Sequence, residues 1–297
     1  MPRKYHRILA AFTSEPWAIE ESKFLAIVEF LEAQADGIKF DATEIEARIG
    51  KGTERAVAKQ DGAVAVLPLH GVIMNRSSML SNISGPGGTS SEAFGAMFKA
   101  ALADPQVKAI VLDVNSPGGH VAGTEELSGM IHNARGQKPI IAHVNSLAAS
   151  AAYWIATAAD EMVVTPTGLV GSIGVMGQHE NIAEKLKAEG VERTIIYAGK
   201  YKTEGSDLGP LTEEARAYMQ GRVDEAYGMF VKAIARNRGV TQAAVRDGFG
   251  QGRVVGAEAA IKEGMADSVG TLDDVLARFA PPKRNFAMQR EKRALSL

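Results

Sequence analysis

Short continuous apolar runs alternate along this chain with segments whose apolar residues recur every three or four positions, a pattern that predicts strands alternating with helices. Buried strands are expected at Ala63–Leu69 (AVAVLPL), bending on through His70, Gly71, Val72 and Ile73, at Val107–Val114 (VKAIVLDV) and at Pro139–Val144, with a further strand at Thr194–Tyr197. Phe94, Met97, Phe98, Ala101 and Leu102 form one helix face behind the candidate caps Ser90 and Ser91. A helical segment is expected from near His120, continuing over Glu125–Ala134, and another over Asn181–Glu189. Thr212 with Glu213 and Glu214 signals the start of a long helix that ends at Gly239, a glycine stop. The alternation predicts a mainly parallel sheet with helices on its faces, the α/β class.

At the N-terminus, Ser14, Glu15 and Pro16 open a helix signal, and Trp17, Phe24, Ile27, Val28 and Leu31 follow at helical spacing. A second short helix is expected over Thr43–Ile49. Gly50–Asp61 is polar and reads as a link, Ser77–Ser90 as a loop, and the basic stretch from Pro281 as a mobile tail. The expected division is a helical extension with linker over 1–60, a main domain over 61–275 and a tail over 276–297.

Composition narrows the class further. With 297 residues and 45% hydrophobic positions the chain can bury a substantial core. A net charge of -2 and a pI near 6.3 give no reason to expect a nucleic-acid partner. The chain has no cysteine, which removes disulfides, thiol catalysis and cysteine metal sites together. Its six histidines show no HExxH spacing and no surrounding carboxylates, so neither metal nor cofactor is implied. There is no signal-peptide core and no run of about 18 apolar residues, so no membrane anchor is expected.

The candidate chemistry sits around Ser150. It follows the strand expected at Pro139–Val144 and, after Ala148 and Ala149, precedes Ala151, Ala152 and an apparent helix through Tyr153–Ala156. Backbone N–H groups at a helix start lack helical partners and can meet a developing anion, while flanking alanines let a substrate backbone come close. On this stretch alone the commoner role of such a serine, a helix N-cap, is favoured. Asn115-Ser116-Pro117-Gly118-Gly119 adds a turn whose glycines can direct N–H groups outward. Together NSPGG, AASAAYWIA and DEMVVTPTGLVGSIGV resemble, in order and spacing, the S49 peptidases of the signal peptide peptidase A type, within the Clp protease and crotonase superfamily. The resemblance covers about Val64 to Val269.

That resemblance implies a crotonase/Clp protease-like ββα superhelix with an N-terminal helical extension, and a serine endopeptidase working through a Ser-Lys dyad. Residue by residue, Ser150 is the nucleophile, Lys202 in YAGKYKTEGSDLGP is the base rather than its neighbour Lys200, and Ser172 in VGSIGV orients the lysine amine. Backbone N–H groups near Gly118, Gly119 and Ala151 form the oxyanion hole. A lysine ordinarily titrates near about 10.4, so a lysine base must be desolvated or set beside other cations or donors. Ala151-Ala152 stands where cellular members usually carry a glycine pair, and here, as in the PWAI segment, the phage capsid or prohead proteases are more similar. The expected substrates are scaffold and capsid proteins cleaved in an assembling procapsid in the host cytoplasm, by a homo-oligomeric ring. The alternatives are a cellular signal peptide peptidase, a Clp-type peptidase with His179 as base, and a silent assembly factor.

Overall fold

A computed structural model describes residues 15–35, 38, 59–61, 63–76 and 88–280. The expected helix at Thr43–Ile49, most of the linker, the Ser77–Ser90 loop as far as residue 87 and the tail from Pro281 lie outside the described residues. The chain begins with strand β1 (Trp17–Ile19) and helix α1 (Glu21–Ala35), followed by β2 (Lys59–Asp61), β3 (Val64–His70), β4 (Ile73–Met74) and β5 (Thr89–Ser90). Then come α2 (Ser91–Ala103), β6 (Ala109–Ser116), β7 (Gly118–His120), α3 (Thr124–Asn133), β8 (Ile140–Ala149), α4 (Ala151–Ala156), β9 (Glu161–Val164) and β10 (Leu169–Gly171). The remainder is α5 (Ala183–Ala188), α6 (Glu213–Arg238), α7 (Gln242–Asp247), β11 (Val254–Gly256), α8 (Ala257–Lys262), β12 (Ser268–Val269) and α9 (Leu272–Ala277).

The larger sheet runs β11-β10-β8-β6-β3-β2, with β9 beside the first half of β8 and β12 beside β9. Its centre is parallel: β3 pairs with β6 from Val64 opposite Ala109 to His70 opposite Asn115, and β6 pairs with β8 from Ile110 opposite Ile140. These strands are covered on both sides, which is why they read as unbroken apolar runs. Leu67, Leu69, Ile110, Leu112, Ile140 and Ala142 face the main core, whereas Val64, Val66, Val111 and Ile141 face a smaller core sealed by Val275 and its neighbours on α9. Helix α4 is buried on every side, as a helix apolar all round must be. Trp154 stacks on Phe230 of α6 at 4.5 Å, and the Tyr153 hydroxyl donates to the Met265 carbonyl at 2.9 Å.

A second, four-stranded sheet has the order β1-β7-β4-β5. It accounts for two departures from the sequence reading. Trp17 lies in a strand, and the helix starts only at Glu21, because Trp17–Ile19 pair antiparallel with Gly118–His120. For the same reason His120 ends a strand, and helix α3 begins at Thr124. Within the supposed linker, Lys59–Asp61 pair antiparallel with Val64–Val66, a polar edge strand with no apolar signature. Thr194–Tyr197 forms no strand: it is an exposed segment without a partner in either sheet. The expected caps do form, since Ser90 and Thr212 accept from the N–H groups of Ala93 and Ala215 at 3.2 Å.

Candidate active site

Ser150 is the turn between β8 and α4, and its backbone has φ 55° and ψ -120°, a conformation L-residues rarely adopt. Two neighbours hold it there. Its N–H donates to the Gly171 carbonyl at 2.7 Å, and its carbonyl accepts the first helical bond from Trp154 at 2.9 Å. Small flanking residues permit the bend, because Ala148, Ala149, Ala151 and Ala152 are all fully enclosed. The hydroxyl caps nothing in α4, so the N-cap role favoured on local sequence is not the one the fold gives it. It makes instead one long bond, donating to the Gly174 carbonyl at 3.4 Å. A strained strand-to-helix turn carrying a serine whose hydroxyl caps no helix and makes only one long bond is the geometry of a nucleophile elbow.

The glycine turn lies directly beside it. Gly118 has φ +99°, and a Cβ there would stand 3.0 Å from the Ser150 Cβ and 2.4 Å from the Ala18 carbonyl oxygen. At Gly119 a Cβ would come within 1.9 Å of the Ile73 carbonyl, so no side chain fits between β1 and β4. Ser116, whose role the sequence does not signal, fixes the turn: its hydroxyl donates to Gly71 O at 2.6 Å and accepts the Gly118 N–H at 3.1 Å. The Gly118 N–H is therefore committed. Gly119, paired with Ala18 of β1, and Ala151, the first residue of α4, carry the other N–H groups near the turn.

Ser172 sits two residues past Val170 in the turn after β10, at φ 55°, with its N–H on Arg253 O at 2.8 Å. It adjoins Gly171, the acceptor of the Ser150 N–H. Lys202 is elsewhere: it lies exposed on the segment after Gly199, whose carbonyl accepts its backbone N–H at 3.1 Å, while Ser150 has no exposed surface. Lys200 is bound to the Tyr201 hydroxyl at 2.6 Å and to Glu214 at 3.2 Å, and these bonds raise its pKa, the wrong direction for a base. His179 gives its ring nitrogen to Ser206 O at 3.0 Å, and His70 is engaged with Asp113 at 3.1 Å. Among the described residues no group of three or more His, Asp or Glu side chains could hold a metal ion.

Arg135 is a further residue that the sequence does not single out. Its guanidinium donates to the carbonyls of Thr157, Ala158 and Ala159 just past α4 and to Asn237 O, at 2.6–3.0 Å. It thus satisfies the open end of the helix whose other end begins at Ser150.

A serine elbow of this kind beside a glycine turn in an α/β fold is found together with a match of residues 132–284 to peptidase family S49, and the chain belongs to that family. Among its relatives, the Head-tail preconnector protein GP5 of Enterobacteria phage P21 is 33% identical over 295 residues, 94% of this chain and 58% of that protein. Capsid assembly protease C of Escherichia phage lambda is 34% identical over 213 residues, 72% of this chain and 48% of the relative. Protease 4 of Salmonella typhi is 33% identical over 224 residues, 75% and 35% of the two chains. The chain thus spans about half the length of the phage relatives it matches. Among solved structures, ClpP1 of Listeria monocytogenes aligns over 70% of this chain and 92% of its own at 14% identity, with a TM-score of 0.44. Among the described residues no helix is long and apolar enough to cross a membrane.

Proposed function

We propose that the chain is a serine endopeptidase in which Ser150 attacks the substrate and Lys202 of a neighbouring copy accepts its proton. The observation that carries this reading is the Ser150 turn, strained, enclosed by alanines and holding a hydroxyl that no cap consumes. In the first step Ser150 Oγ bonds to the peptide carbonyl carbon while its proton passes to the lysine amine. The N–H groups of Gly119 and Ala151 meet the oxyanion. Collapse of the adduct breaks the C–N bond, the departing amine takes the proton back, and water then hydrolyses the seryl ester by the same route. Ser172 holds the amine in line.

The shared site is supported by the contrast between a fully buried Ser150 and an exposed Lys202. Ile195, Ile196 and Tyr197 also stand uncovered, Ile196 at 95%, on a segment whose composition favours a strand and which pairs with no strand among the described residues. Head-to-tail contacts that close into a ring would cover this segment and carry Lys202 to the next copy. Names of relatives that include capsid assembly favour scaffold and capsid proteins as substrates, within the assembling procapsid in the host cytoplasm. The Clp-type alternative is weakened by the bond that ties His179 to Ser206 O.

The test mixes a Ser150→Ala chain with a Lys202→Ala chain under conditions of subunit exchange, each inactive alone. Cleavage of a casein or scaffold substrate is expected to return in the mixture. Continued inactivity in verified mixed oligomers, or activity in a verified monomer, would defeat the shared site.

A further inference from the structure

We propose that β1 is a built-in occupant of the substrate groove, lying where an extended substrate backbone will lie, so that substrates enter only by replacing it. This rests on the reading of Ser150 as nucleophile. Ser150 has no exposed surface. Some element must move before any carbonyl can reach it; besides the Gly171–Gly174 segment that bonds Ser150 directly, β1 comes close through the Ala18 carbonyl, which meets the Ser150 Cβ above Gly118.

Three features show an occupant rather than an ordinary edge strand. First, β1 is paired on both sides: it runs antiparallel to β7, and on its other edge Trp17 and Met176 exchange two N–H···O bonds of 2.9 Å. A peptide bound this way gains affinity from main-chain bonds on two edges. Second, its register sets a carbonyl beside the nucleophile. Pro16 O accepts from Val121 N–H and Glu20 N–H donates to Pro117 O, so by the alternation of an antiparallel ladder the pair between them, Ala18 and Gly119, is bonded as well. This puts the Ala18 carbonyl on the Gly119 N–H, and its oxygen and the Ser150 Cβ border the same point above Gly118. Third, the side chains alternate by size. Ala18 joins the main core on the Ser150 side, while Trp17 and Ile19 enter a separate small cluster with Phe24, Ile27 and Leu31 of α1. β1 and α1 are therefore held mainly by their own cluster, and the one main-core side chain that leaves with them is the small Ala18. The occupant also describes the preferred substrate: an extended segment with a small residue beside Ser150 and large apolar residues before and after it.

The test measures binding, on full-length chains that all carry Ser150→Ala, so that failure of the peptidase reading leaves this readout intact. The probe is a fluorescein-labelled synthetic peptide, TSEPWAIEES, corresponding to residues 13–22. Affinity for a groove that is only partly free falls in proportion to the free fraction. Ala18→Glu, which would put a charge into the core, is expected to expel β1 and tighten peptide binding at least tenfold over the parent; Trp17→Gly with Ile19→Gly is the milder release if the charged variant fails to fold. A peptide with tryptophan in place of its alanine is expected to bind the released chain at least tenfold more weakly. Trp17 faces His120 as a non-hydrogen-bonded pair, so Trp17→Cys with His120→Cys, in a chain with no other cysteine, should lock β1 in place when oxidised. The oxidised lock is expected to bind no peptide and the reduced form to regain the parent's binding. A folded released variant that gains no affinity, or an oxidised lock that binds as well as the reduced form, overturns the proposal.

Discussion

Replacing Ser150 by glycine should stabilise the protein relative to replacing it by alanine, although both changes abolish cleavage. Alanine keeps the Cβ, and with it the strain of φ 55° and ψ -120°; glycine removes the strain. A residue held in such a region costs about 1–3 kcal/mol, against which glycine's extra freedom in the unfolded chain costs about 0.5–1 kcal/mol. The hydroxyl bond to Gly174, at 3.4 Å, is long, and both variants lack it, so it drops out of the comparison. The glycine variant should therefore be more stable by about 1 kcal/mol, within limits of about 0 and 2.5, with Tm rising by about 2–4 °C for each kcal/mol in a domain of this size. Urea unfolding followed by far-UV circular dichroism and by the fluorescence of the enclosed Trp154 measures it, at matched chain concentrations because assembly also contributes to stability. An alanine variant as stable as the glycine variant, or more so, would refute the claim that strain is stored at the nucleophile.

Arg135→Ala should destabilise the fold by about 3 kcal/mol, since three carbonyls just past α4 and that of Asn237 on α6 lose a charged donor, and Arg135→Lys should recover little because an ammonium lacks the planar fork; equilibrium unfolding of both variants checks it. Burial alone would raise the Asp267 pKa, but its two 2.8 Å bonds from Arg238 and one from the Met162 N–H hold it below the ordinary carboxylate value. Its contribution, about 1 kcal/mol once solvent screening of a side chain 37% exposed is allowed for, is thus fully present above the ordinary carboxylate pKa and lost as pH falls through the depressed one. Unfolding from pH 7 to pH 2 should show a shallower acid loss in Asp267→Asn than in the parent, and equal slopes would contradict the sign. If Ser172 orients the Lys202 amine as proposed, Ser172→Ala should lower the rate of cleavage of a casein substrate without abolishing it. A Ser172→Ala chain as active as the parent would exclude that role.

Much of the fold was readable in the sequence because burial on both faces leaves continuous apolar runs, as in Val64–Leu69 and Ala109–Val114. The caps at Ser90 and Thr212 were readable because their hydrogen bonds are local. What escaped depends on residues distant in sequence. Trp17 fits a helical stripe with Phe24, Ile27 and Leu31, and only pairing with residues about a hundred positions later makes it a strand. Lys59–Asp61 carries no apolar signal, and Thr194–Tyr197 carries a strand signal without a neighbour to satisfy it. At the site, the Ser150 turn and glycine pair were legible from their motifs. The enclosure of Ser150, the lock that Ser116 places on Gly118 and the reach of Arg135 appear only in three dimensions.

If β1 marks the substrate groove, the close approach at the glycine pair is also a sieve. The slot between Gly118–His120 and the backbone at Met176 is one extended chain wide, at the spacing of about 4.8 Å between paired strands. A helix, about 10–12 Å across and with its own N–H and C=O groups already paired, can neither fit the slot nor bond to its walls. Folded proteins should therefore be passed over whatever their sequence, and cutting confined to stretches already drawn out as single strands, such as termini and linkers between domains. Conformation would then choose the target before side chains do, and a protein could become a substrate, or cease to be one, merely by unfolding or folding a loop.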